Sequence, residues 1–335
     1  MRIAMLSSIS WPTPPTGYGP WELVTSLLTE ALVARGVDVT LFATTNSRTA
    51  ARLEGVAPRG YSEEPHLDAK VWEALHVAHC MERAGEFDLI HNQADFMPLA
   101  WSKLIDTPML TTIHGFSSER IVPVYQRYDD RVHYVSISDA DRHPSLSYAA
   151  TIHHGIPLDD FAFDPVGSDD LLFFGRIHPD KGAADAIVAA RAADLRLQMA
   201  GLVQDSGYHE RHVAPHIDGD RIVFHGVVGG EKRVRMLGGA RALLHLIGFD
   251  EPFGLSVIEA MACGTPVIAF NRGSMPELID HGVTGFLVDN VDEAVDAIGR
   301  IGEIDRTACR RAVAERFSVE RMADEYLALY RRLLG

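Results

Sequence analysis

The chain has 335 residues, 47% of them hydrophobic, which is more than one ordinary domain needs for its core and makes two α/β domains the natural partition. Its formal charge is −15, with the acidic excess spread over both halves, and such a surface repels nucleic acid and anionic lipid. Three scattered cysteines, Cys80, Cys263 and Cys309, form neither a CxxC pair nor a cluster with histidine, which argues against a disulfide framework or a zinc site and for a reducing, cytoplasmic setting.

Short apolar runs alternate with helical stretches from one end to the other. Ile3–Leu6 reads as a strand, and the run Met1–Leu6 is too short for a signal peptide. The loop from Trp11 to Gly19 then leads into a helix over Pro20–Arg35 that stops at Gly36, as a glycine just past a helix end allows. Strands are expected at Val37–Ala43, Asp88–His91, Met109–Ile113 and Val132–Ile137, with a helix at Lys70–Arg83 before the second of these. His154-Gly155-Ile156-Pro157 closes a first domain over residues 1–160, and Asp164 to Asp170 has linker composition.

A second alternation begins at Leu171 and repeats at Leu197–Gly201, Ile222–Phe224, Ala242–Leu246, Val267–Phe270 and Gly285–Val288, giving a second domain over 161–317. Helices are expected from Ala183 and over Leu255–Cys263, Val291–Ile301 and Val319–Leu334. Alternation of this kind argues for parallel sheets covered on both faces. No segment approaches the ~20 apolar residues that cross a bilayer, and no basic amphipathic stretch offers a membrane dock.

Two patches carry chemistry. In Glu251-Pro252-Phe253-Gly254-Leu255 through Glu259, two carboxylates with seven residues between them flank a predicted helix N-terminus. That end presents unpaired amides and about half a positive charge, a seat for phosphate. Acceptors beside an anion seat suit a nucleotide sugar, whose hydroxyls would meet Glu251 and Glu259 and whose diphosphate would meet the amides of Gly254 and Leu255, with Phe253 packed beneath. In Gly175-Arg176-Ile177-His178-Pro179-Asp180-Lys181-Gly182, two cations lie on a strand-to-helix loop, where Arg176 and Lys181 would neutralise a pyrophosphate leaving group. Gly17-Tyr18-Gly19 lacks the third glycine of a dinucleotide fingerprint.

Gly175-Arg176 through Lys181-Gly182, followed about 70 residues later by Glu251 through Glu259, resembles the retaining glycosyltransferases of family 4, the glycosyl transferases group 1. Tyr18-Gly19, Arg35 to Leu41, Phe87 to His91, and Thr111-Thr112-Ile113-His114-Gly115 extend the resemblance over nearly the whole chain. It implies an α/β GT-B fold, two Rossmann-like domains facing each other across a cleft, with the last helix, over 318–335, crossing back to the first. It further implies that Glu259 meets the donor ribose, Glu251 the transferred sugar and Gly19 the diphosphate, and that His114 lines the donor sugar. His91, Tyr18 and Trp21 stand where the acceptor would be met. The first loop departs from the family, because Pro20 replaces a second glycine and removes an amide.

The resemblance implies transfer of a hexose from a UDP- or GDP-sugar to a hydroxyl, with retention; the lack of a basic amphipathic stretch favours a small soluble sugar or polyol as acceptor, and no cofactor or metal is expected if Arg176, Lys181 and the helix N-terminus hold the pyrophosphate. Two competitors use the same residues: a sugar phosphorylase or nucleotide-sugar epimerase, and a nucleotide-sugar-binding protein without activity. The sequence is silent on oligomeric state.

Overall fold

A computed structural model describes residues 1–116 and 118–335. The chain divides into two compact units, one formed by residues 1–155 and 319–335 and the other by residues 156–318. The first boundary falls five residues before the expected one, for a local reason. The Ile156 amide donates to the Phe317 carbonyl at 2.9 Å, and the Arg310 guanidinium donates to the Leu158 carbonyl at 3.0 Å. Residues 156–160 are thereby tied to the second unit.

The first unit contains β1 (Arg2–Leu6), α1 (Pro20–Ala34), β2 (Asp38–Phe42), β3 (Arg52–Glu54), α2 (Ala69–Glu82), β4 (Leu89–Asn92), β5 (Met109–Ile113), α3 (Val122–Tyr128), β6 (Val132–Ser136) and β7 (Tyr148–Thr151). Its seven strands pair in the order β3-β2-β1-β4-β5-β6-β7, all parallel. The central strands are buried on both faces, which is why β1, β4 and β5 show no alternation; β1 is apolar after Arg2, whereas β4 and β5 also bury His91, Asn92, Thr111 and Thr112. β3 and β7 are the edge strands and escape that pattern. β3 is three largely polar residues, and β7 is part-exposed throughout, so neither has an apolar run to betray it.

The second unit runs β8 (Leu171–Phe174), α4 (Ala183–Ala192), β9 (Leu197–Ala200), α5 (Ser206–His212), β10 (Ile222–Phe224), α6 (Gly230–Gly239), β11 (Ala242–His245), α7 (Leu255–Ala262), β12 (Val267–Phe270), α8 (Met275–Leu278), β13 (Gly285–Val288), α9 (Val291–Arg300) and α10 (Arg306–Arg316). Its six parallel strands pair as β10-β9-β8-β11-β12-β13. The order reverses between β8 and β11, so the loops leaving these two neighbouring strands diverge and open a crevice at the carboxyl edge, the ligand position of doubly wound sheets. The equivalent point in the first unit lies between β1 and β4.

The last helix, α11 (Val319–Leu334), belongs to the first unit. Arg35 binds Asp324 at 2.7 Å, and Arg332 donates to the Ala149 carbonyl at 2.8 Å. Met322, Tyr326, Leu329 and Tyr330 form its buried face. No helix among the described residues is long and apolar enough to cross a membrane. Cys80, Cys263 and Cys309 are buried and unbridged.

Candidate active site

The reversal point of the second sheet brings two distant sequence patches together. The loop after β8 turns through a short 3-10 segment, Pro179–Lys181, whose Asp180 carbonyl accepts from the Gly248 amide in the loop after β11 at 2.9 Å. Gly182 is in the left-handed region at φ 71°, and a Cβ there would lie 1.8 Å from the Leu246 carbonyl oxygen, so only glycine lets the two loops approach. That contact places Lys181 against Glu251, and the two form an ion pair in which both side chains are mostly buried. The ammonium also lies 4.6 Å from the centroid of the Phe249 ring.

Glu251 is held from behind by a segment whose role the sequence did not disclose. The Ser274 amide donates to the Glu251 carbonyl at 3.0 Å, and Gly273, at φ 54°, packs so closely that a Cβ would meet the Glu251 amide nitrogen at 2.5 Å. Pro276 and Glu277 open α8 behind it as a helix start should. Three residues past Glu251, Gly254 caps α7 at φ 100°, ψ 63°. The amides of Leu255 and Ser256 then begin the helix with no acceptor inside it, and Phe253 is buried below with its carbonyl bound to Ser274 Oγ at 2.6 Å. An anion seat thus stands beside a lysine and a carboxylate.

Glu259 is 1% exposed, on the inner side of α7. Burial pushes its carboxyl above the usual range, and the ion pair with Arg233 opposes that shift. Oε2 of Glu259 and Nε of Arg233 are both buried without a hydrogen-bond partner, which leaves an acceptor and a donor facing no protein group. Arg233, from α6, also lies 5.7 Å from the Phe174 ring. Sequence reading missed it because nothing in Lys232-Arg233-Val234-Arg235 marks one cation over its neighbours. His245, the last residue of β11, was missed as well. It is buried with Nε2 unpartnered, and burial together with the Lys181 charge holds the imidazole down to about 3. A polar residue ending an apolar strand was its one signal.

Arg176 does not join Lys181 and Glu251. Its guanidinium bonds Gln204 in the loop after β9, on the other side of β8, because Ile177 bridges Val203 and turns that end of the loop toward β9.

In the first unit, His114 directly follows β5, with Nε2 2.6 Å from Gln93 Oε1 and Nδ1 3.3 Å from His154 Nε2. Part of the residue stays accessible, but its ring is enclosed, and burial holds the imidazole neutral down to about 3. Trp21 stacks on it with ring centroids 5.4 Å apart at 21°. His91 is placed differently from the expected acceptor contact. It is fully buried, with Nδ1 2.6 Å from Tyr330 Oη and Nε2 2.8 Å from Thr112 Oγ1, the environment of a packing residue. Tyr18 is 42% exposed. Gly19 caps α1 at φ 147°, and at the helix end it opens the Glu22 carboxyl is buried, raised by that burial above the usual range, and accepts from the Trp11 amide at 3.2 Å. The Glu22 side chain therefore stands close to Gly19, where a phosphate contact was expected: a Cβ on Gly19 would lie 3.1 Å from Glu22 Oε2.

Two doubly wound parallel sheets, each with its order reversing once, define the GT-B class of glycosyltransferase fold. Sucrose-phosphate synthase from Thermosynechococcus elongatus superposes with a TM-score of 0.81 at 23% identity over 99% of both chains. Anabaena HepE, solved in complex with UDP and glucose, gives 0.75 at 19% over 98% of both. Residues 22–159 match the model of Glycosyltransferase Family 4 and residues 161–315 that of Glycosyl transferases group 1. The chain belongs to the family 4 glycosyltransferases. D-inositol 3-phosphate glycosyltransferase from Mycolicibacterium smegmatis is 31% identical over 224 residues, 60% of this chain and 50% of that protein. Glycogen synthase from Mycobacterium tuberculosis is 27% identical over 378 aligned positions, covering 94% and 89%. The chain spans about half the length of the inositol phosphate relatives it matches.

Proposed function

We propose that this protein transfers a hexose from a nucleotide diphosphate sugar to a hydroxyl of a small soluble sugar or polyol, with retention at the anomeric carbon and without a metal. The observation that carries the reading is the Lys181–Glu251 ion pair at the N-terminus of α7, where a cation, a carboxylate and open amides share one edge of the sheet. The diphosphate sits on the Gly254 and Leu255 amides and is neutralised by Lys181 as the leaving charge grows. Arg176 joins it by exchanging its Gln204 bond for a phosphate oxygen. Glu251 takes hydroxyls of the transferred sugar, and Glu259 takes the ribose hydroxyls through its unpartnered oxygen. Because the HepE complex contains UDP and glucose, UDP-glucose is the first donor to try and a GDP-sugar the second.

A thermal-shift series against nucleotide sugars tests this directly. A donor at ~100 times its Kd stabilises the fold by about 2.7 kcal/mol. In Glu259→Ala the donor loses a charged acceptor, weakening binding by about 1.5–3 kcal/mol while the ligand-free melting point stays within a few degrees. The reading fails if no UDP- or GDP-sugar shifts the wild type, or if Glu259→Ala binds the donor as well as wild type does. With fixed cations at the diphosphate, turnover persists in EDTA and changes by no more than a few-fold on adding Mg²⁺; its loss in EDTA and return with Mn²⁺ would overturn the roles given to Lys181 and Arg176.

A further inference from the structure

A buried chain of hydrogen bonds runs from the last helix to the histidine that directly follows β5. Tyr330 and Tyr326, on α11, are at most 1% exposed. Tyr330 Oη lies 2.6 Å from His91 Nδ1, and Tyr326 Oη lies 2.7 Å from Thr112 Oγ1. The Thr112 hydroxyl and the Gln93 carboxamide nitrogen both meet His91 Nε2, at 2.8 and 3.1 Å. The other end of the same carboxamide, Gln93 Oε1, meets His114 Nε2 at 2.6 Å. Every member belongs to the first unit.

Gln93 makes this chain directional. A carboxamide oxygen only accepts, so His114 carries its proton on Nε2, and an NH₂ group only donates, so His91 has a bare Nε2 and carries its proton on Nδ1. That proton is donated to Tyr330, the Thr112 hydroxyl donates to His91 Nε2, and Tyr326 donates to Thr112. His114 Nδ1 is then an acceptor facing His154 Nε2 at 3.3 Å. We propose that Gln93 and Tyr330 are positioning residues that fix His114 as its Nε2–H tautomer, with the ring held flat against Trp21 and neither nitrogen left to exchange a proton with a ligand. His114 thus contributes through its ring and its backbone, and the C-terminal helix sets the state of a residue more than 200 positions earlier in the chain.

A half-turn of the carboxamide reverses every donor in the chain, so the network has one other self-consistent arrangement. Its far end is where the two can be separated. In Tyr330→Phe, the Nδ1–H of His91 would be buried without an acceptor, which costs more than a buried bare nitrogen. The reversed arrangement then wins: His91 carries its proton on Nε2, Gln93 turns over, and His114 carries its proton on Nδ1.

The relevance to turnover rests on the proposed function, whereas the tautomers do not, so the two are measured separately. Long-range proton–nitrogen NMR of ¹⁵N-histidine protein, assigned with His114→Gln and His91→Gln, reads each tautomer at pH 7.5. Wild type is expected to show His114 protonated on Nε2 and His91 on Nδ1, and Tyr330→Phe to show both exchanged. Gln93→Met cuts the chain without charge, so that His114 no longer follows the Tyr330→Phe change, and it lowers turnover of the donor roughly tenfold through misplacement of the ring. Protonation of His114 on Nδ1 in wild type overturns the proposal, as does a His114 spectrum unmoved by Tyr330→Phe or one that still follows that change when Gln93→Met is present. The expected tautomers in a protein that binds no nucleotide sugar would leave the network standing and remove the proposed function instead.

Discussion

Arg176 and Lys181 stand five residues apart on one loop, yet they meet different partners. Lys181 is enclosed beside Glu251 before any ligand arrives, so its charge is preorganised for a leaving group that becomes more anionic in the transition state. Lys181→Ala is therefore expected to lower kcat by more than it raises the donor KM, read from steady-state kinetics with a nucleotide sugar. Preserved kcat with a raised KM would assign the lysine to ground-state binding. Glu259 shows the complementary design. Its burial disfavours ionisation and the Arg233 ion pair opposes that shift, so the guanidinium favours the carboxylate form that the proposed ribose contact calls for.

At the level of elements, the site depends on how closely two loops approach. Gly182 lets the loop after β8 lie on Leu246, and Gly273 lets the loop before α8 lie on Glu251. Gly182→Ala forces both a left-handed backbone on a residue with a Cβ and a collision with a backbone carbonyl. The cost is at least about 2 kcal/mol, counting only roughly 1–2 kcal/mol for the backbone and the rest for displacement. The expected result is a lower melting point together with lost donor binding, because Lys181 is the preceding residue. A variant that melts lower but binds the donor normally would show that Lys181 does not depend on this contact. At helix α1 the buried Glu22 carboxyl stands beside the N-terminus and accepts from the Trp11 amide, one turn from the position where a phosphate contact was expected.

For the whole molecule, acid stability follows from histidines buried neutral. Burial lowers His76 to about 4 and His91 and His114 to about 3, and lowers His154 in the same direction. In the unfolded chain each takes up a proton near its ordinary value of about 6.5, so the stability they confer is complete above that pH and is lost as pH falls toward the folded values. Between pH 7.5 and 5.5 each costs about 1.4 kcal/mol. Buried Glu22, Glu73 and Asp95, raised by burial, act with the opposite sign, since their contribution is lost as pH rises through the folded values. Their ordinary range lies lower, so the net expectation over this interval is a lower urea midpoint at pH 5.5. An unchanged midpoint would show that the imidazoles are not buried in the neutral state.

The sequence by itself determined the alternation of strands and helices, the two-unit division and the motifs at Lys181, Glu251 and Glu259, because strands buried on both faces are mostly apolar and tight loops must contain glycine. It placed the central strands of both sheets and α1, α7 and α11 to within a residue or two, and it left out edge strands such as β3 and amphiphilic helices such as α6, where no apolar run or cap marks the element. Only the tertiary structure decided which side chains meet. The order of the second sheet reverses between β8 and β11; with the close approach at Gly182 this brings Lys181 to Glu251 across 70 residues, while the Ile177–Val203 bridge sends Arg176 to Gln204. In the same way His91 and His114 stand at the ends of neighbouring strands with similar sequence signals, but α11 covers the first with Tyr330 and leaves the second beside Trp21. Contacts of this kind depend on the packing of segments far apart in the chain, and local pattern carries no record of them.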